Sequence, residues 1–104
     1  MEEAVAALLN ALNEYLKVQG PRIISVLEIT GQDRIRIEVR ALYRYFEPTE
    51  NFEKVSDVLR EIIDKKLHGG LEKYGINLVA ENDTLSLEVS KNYVKKLLNN
   101  LSSF

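Results

Sequence analysis

The hydrophobic positions of this chain change period several times. Val5, Leu8, Leu12 and Leu16 recur at helical spacing, with Leu9 and Tyr15 widening the stripe, so residues 2–18 are expected to form a helix. Glu2 and Glu3 suit the positive end of its dipole, and Gly20-Pro21 reads as its stop. The period then falls to two. Ile23, Leu27 and Ile29 share a face with Ser25. On a second run, Ile35, Ile37, Val39 and Ala41 alternate with Arg34, Arg36, Glu38 and Arg40. Residues 22–46 therefore predict a β-hairpin. A three-residue loop at Gly31-Gln32-Asp33 keeps both apolar sets on one face and sets Glu28 opposite Arg36.

Residues 49–68 return to helical spacing through Phe52, Val55, Leu59, Ile62, Ile63 and Leu67, with Thr49 or Asn51 as cap. Gly69-Gly70 ends or breaks that helix, and Leu71–Tyr74 adds a turn closed by Gly75. Residues 76–89 predict a second hairpin. A two-residue turn at Asn82-Asp83 pairs Ala80 with Leu85, Leu78 with Leu87 and Ile76 with Val89, all on one face. Ser90 then caps a last helix carrying Val94, Leu97, Leu98 and Leu101. A weak internal repeat aligns residues 29–43 with 79–93 through Asp33/Asp83, Glu38/Glu88, Val39/Val89 and Tyr43/Tyr93.

These elements describe one α+β domain over residues 1–104: two α-β-β units and a C-terminal helix, with a mostly antiparallel sheet carrying helices. The order is that of a ferredoxin-like fold whose first strand has moved to the C-terminus. It is also similar in element order to class I type III secretion chaperones. Both are analogies of topology, carried by no motif. In the first arrangement the two long inner strands, residues 34–42 and 84–89, lie side by side.

One set of residues does not suit a sheet with a wet back. Ile24 and Val26 alternate with the expected core positions, and Leu42, Phe46 and Val79 fall on the same outer side. Leaving branched side chains in water forgoes about 1.5–3 kcal/mol each. This outer face is therefore the candidate surface for a homodimer.

Composition narrows the chemistry. The 104 residues are 45% hydrophobic and 29% charged, with a formal net charge of -2. Dedicated duplex-DNA binders carry a basic excess, which this chain lacks. There is no cysteine, so thiolate chemistry and Cys-ligated metals are excluded. The acidic start and the lack of a long apolar run predict no membrane span and a cytoplasmic location. The lone His68 stands at a helix end beside Gly69-Gly70, where interaction with the helix terminus is its ordinary role. Asp57, Glu61 and Asp64 are interleaved with Arg60 and Lys65, as on a solvated face. No phosphate-binding glycine loop or nucleophile motif occurs. An enzyme, a metal and a cofactor are not expected.

Two functional classes remain. The first is a small non-catalytic protein-interaction or assembly module acting as a homodimer. The alternative is RNA or single-stranded nucleic-acid binding through Arg34, Arg36, Arg40 and Arg44 on strand 34–46, with Phe46 at its end. Five tyrosines could serve either class as interface anchors or pocket lining.

Overall fold

The computed structural model describes residues 2–102, and the side chains of residues 2–100. The elements are α1 (Glu3–Thr30), β1 (Arg34–Glu38), a 3-10 helix (Val39–Tyr45), α2 (Val55–Asp64), α3 (Gly69–Glu72), β2 (Ile76–Glu81), β3 (Thr84–Ser90) and α4 (Lys91–Ser102). The three strands form one antiparallel sheet in the order β1-β3-β2, with helices packed against it. The α+β class is as the sequence predicts, and β1 and β3 are neighbours. Leu101, part of the expected α4 stripe, lies outside the described side chains.

The first α-β-β unit lacks its first strand. Residues 22–30 continue α1 through Gly20 and Pro21. Ile23 and Leu27 are four apart, a spacing that satisfies both period two and a helical stripe. Here they prolong the line of Leu12, Leu16 and Gly20 into the core. Proline removes the hydrogen bond its N–H would donate one turn back, but burial of Ile23 and Leu27 carries the helix past it. The true stop is Gly31, left-handed at φ 70°, with Leu27 O accepting the N–H of Gly31 and, at 3.1 Å, that of Gln32. The expected Glu28–Arg36 cross-strand pair does not form; Glu28 lies 3.4 Å from Lys95 of α4.

The second strand of that unit is also shorter than the alternation suggests. After Glu38 the chain tightens into the 3-10 helix, which buries Val39 and Leu42 three residues apart. The internal repeat holds only in part: β1 aligns with β3, but Ile29 lies in α1 where Val79 sits in β2.

The second hairpin forms as predicted. Asn82 and Asp83 both have positive φ, at 52° and 61°, as a type I′ turn requires. Ala80, Leu78 and Ile76 face Leu85, Leu87 and Val89 in that register. Ser90 Oγ accepts the Tyr93 N–H at 3.2 Å, capping α4.

The middle of the chain follows its apolar stripe with shifted ends. Helix α2 starts at Val55, where the Lys54 N–H meets Asp57 Oδ2 at 3.2 Å. Thr49 caps a separate turn instead. Its Oγ1 accepts the Phe52 N–H at 3.1 Å and seats Phe52 in the core. Asn51 reaches the carboxylate of Glu3 at 2.9 Å. Leu59 and Ile62 are buried as expected, but Ile63 is exposed. The core joins α1, the inner sheet face (Ile37, Ile76, Leu87, Val89), α2, Leu42, Leu71 and Val94.

Candidate interaction surfaces

The sheet has one core face and one wet face. Strand alternation puts Arg34, Arg36 and Glu38 of β1 on the wet side, beside Ser86 and Glu88 of β3 and Asn77, Val79 and Glu81 of β2. Arg34 lies 3.5 Å from Glu88. Arg36 reaches across β3 to Glu81 at 2.5 Å and stands 3.6 Å from Glu88. The hydrogen bond that Arg36 donates to Glu81 is the main reason its pKa rises above its ordinary value. The expected four-arginine face is split. Arg40 and Arg44 belong to the 3-10 helix, and Arg40 turns back to Glu38 at 2.5 Å. Glu38, Glu81 and Glu88 thus interleave with the sheet arginines, and a patch of one sign is not what this face presents. Exposed pairs of this kind contribute little, so they set charge pattern more than stability.

The five residues expected to form one dimer face are dispersed. Ile24 and Val26 are on α1, where Ile24 packs partly against the core and Val26 is exposed. Leu42 is fully buried under the 3-10 helix, so it faces no partner. Phe46 is half-buried beside the core, and Val79 is half-buried on the wet face of the sheet. They share no face because residues 23–29 are helical and β1 ends at Glu38, before Leu42. Other exposed apolar groups on α1 are Val18 and Ile29, the latter 85% exposed.

A cleft of about 570 Å³ opens between the 3-10 helix, α2 and the tip of the β2–β3 hairpin. Val39, Leu59 and Leu85 line it, and Tyr43 and Ile63 stand at its mouth, 59% and 45% exposed. Its charged lining has both signs: Arg40 and Arg60 with Glu38, Asp64 and Asp83. Tyr43 and Ser56 continue into a second hollow lined by Phe46, Pro48 and Val55. Sequence reasoning assigned Ile63 to the core stripe of α2.

The remaining tyrosines do not converge on this cleft. Tyr15 and Tyr45 meet edge to face at 5.6 Å, and Tyr74 and Tyr93 at 6.5 Å. Tyr93 donates to Asn13 Oδ1 at 2.5 Å, tying α4 to α1. Burial is the main cause raising its pKa. His68 sits at the start of α3, where its backbone carbonyl accepts the N–H groups of Leu71 and Glu72 at 2.9 Å each. Among the described residues, no group of three His, Asp or Glu side chains could hold a metal ion. No helix of the described chain is long and apolar enough to cross a membrane.

Compared with protein-family models, curated proteins and solved structures, the chain matches none of them.

Proposed function

We propose that this chain is a non-catalytic interaction module that works as a homodimer and holds a protein partner, with the cytoplasm as its site of action. The supporting observation is the cleft at the hairpin tip. Tyr43 and Ile63 are large, exposed and on opposite elements, over a floor of Val39, Leu59 and Leu85. An aromatic anchor beside an apolar floor, rimmed by charges of both signs, suits an amphipathic protein segment more than a uniformly charged ligand. Nucleic-acid binding through the arginine strand has less support, because Glu81 and Glu88 face Arg34 and Arg36.

The test uses a photo-reactive residue at Ser56, which lines the cleft. In the native cell it should give a discrete protein adduct, reduced at least tenfold by Ile63→Asp with the circular dichroism spectrum unchanged. An adduct insensitive to Ile63→Asp, or salt-dependent binding of labelled single-stranded RNA that needs Arg34 and Arg36, would overturn this choice.

A further inference from the structure

The outer edge of β1 is a backbone surface with no partner among the described residues. In an antiparallel pair, residues alternate between exchanging backbone hydrogen bonds and not exchanging them. The Lys91 N–H donates to Asp33 O at 2.7 Å, in line with the β1–β3 register. Asp33, Ile35 and Ile37 therefore direct their backbone groups to β3. The N–H and C=O groups of Arg34 and Arg36, and the Glu38 N–H, point away from the sheet. The Glu38 C=O opens the 3-10 helix.

We propose that a second copy of this chain adds to that edge, β1 antiparallel to β1, giving one six-stranded sheet. This rests on the homodimer reading and names its surface. Centring the pair on Arg36 gives the longest overlap. Arg36 then exchanges two hydrogen bonds with the partner's Arg36, and each Glu38 N–H donates to the C=O of Arg34 across the seam. The side chains agree with that register. On the wet face Arg34 stands opposite the partner's Glu38, twice over by symmetry. On the inner face Ile35 stands opposite the partner's Ile37, extending the apolar surface. The two central arginines are drawn away from the seam, because each reaches across its own sheet to Glu81 and Glu88.

The opposite edge offers no such match. The outward backbone groups of β2 belong to Ile76, Leu78 and Ala80, and α3 packs against that strand. A seam centred there would set Asn77 against Val79, with no opposite charges. Charged edge strands commonly block pairing by repulsion. The edge of β1 carries both signs, two residues either side of its centre, and so becomes self-complementary.

The experiment combines light scattering on the full chain with amide hydrogen exchange at low and high concentration. The expected result is a dimer in which the Arg36 and Glu38 amides are protected only at high concentration. Arg36→Pro should abolish the dimer. Arg34→Glu or Glu38→Arg alone should weaken it at least tenfold, and the two together should restore it. A dimer that survives Arg36→Pro, with those amides open to exchange, overturns the edge assignment and leaves the homodimer reading standing. A wild type that stays monomeric at high micromolar concentration overturns both.

Discussion

The two halves of α1 have the same backbone conformation and different support. Over the first half, Ala4, Val5, Leu8, Leu9, Ala11, Leu12 and Leu16 are buried, a broad stripe. Over the second half only Gly20, Ile23 and Leu27 are buried, while Val18, Val26 and Ile29 reach solvent. The second half leans on α4. A Cβ on Gly20 would sit 3.1 Å from Leu98, so glycine permits that close approach. The first half buries a broad stripe and the second a narrow one, in spite of a proline at its entry. Helix length thus says little about how firmly each turn is fixed.

The sharpest test of that contrast is a pair of truncations. Leu12→Ala should cost about 3–5 kcal/mol and Leu27→Ala about 2–3 kcal/mol, because Leu27 stands in the narrower buried stripe of the helix. Urea denaturation measures both, and equal losses would break the contrast. Pro21→Ala should act in the opposite direction. Restoring an N–H to the helix ladder should stabilise the chain by about 1–2 kcal/mol, slowing hydrogen exchange in residues 17–30 more than in residues 3–16. No change in either would mean that the second half does not depend on a continuous ladder.

The smallest effects separate the two ties to α4. Tyr93→Phe removes the bond to Asn13 in the first half and should cost about 0.5–1.5 kcal/mol. Glu28→Gln removes the exposed pair with Lys95 in the second half and should cost under about 0.5 kcal/mol. Tyr93 also has a pH signature. Its folded pKa is raised, chiefly by burial, so the unfolded chain loses this proton first as pH rises. Its contribution is fully present below the ordinary tyrosine pKa of about 10 and is lost above it. Alkaline denaturation midpoints should therefore fall less steeply in Tyr93→Phe than in the wild type.

The elements legible in the sequence are those in which two independent local signals agree. At residues 76–90 turn chemistry and alternation select one register, and Ser90 marks the next helix. At residues 20–30 the signals conflict. Gly20-Pro21 reads as a stop, and Ile23, Leu27 and Ile29 fit period two, yet Ile23 and Leu27 equally fit a helix. The deciding information is packing against α4, some seventy residues away, which no local window contains. The same limit governs the surfaces. Arg34 and Arg36 look like a basic stripe until Glu81 and Glu88 are folded beside them. Likewise, Tyr43 and Ile63 define a cleft only once the 3-10 helix lies along α2.

The strand order has a consequence in time. The central strand, β3, is the last of the three along the chain, and Arg34 pairs with Ser90 more than fifty positions later. A two-stranded hairpin such as β2–β3 closes on a scale of about 1–10 μs, but docking β1 requires closure of the long intervening loop. On a ribosome β1 emerges well before its partner is made. Until then both edges of β1 are open, and the short length of Arg34–Glu38 is what a nascent chain has to keep that segment from joining the wrong strand.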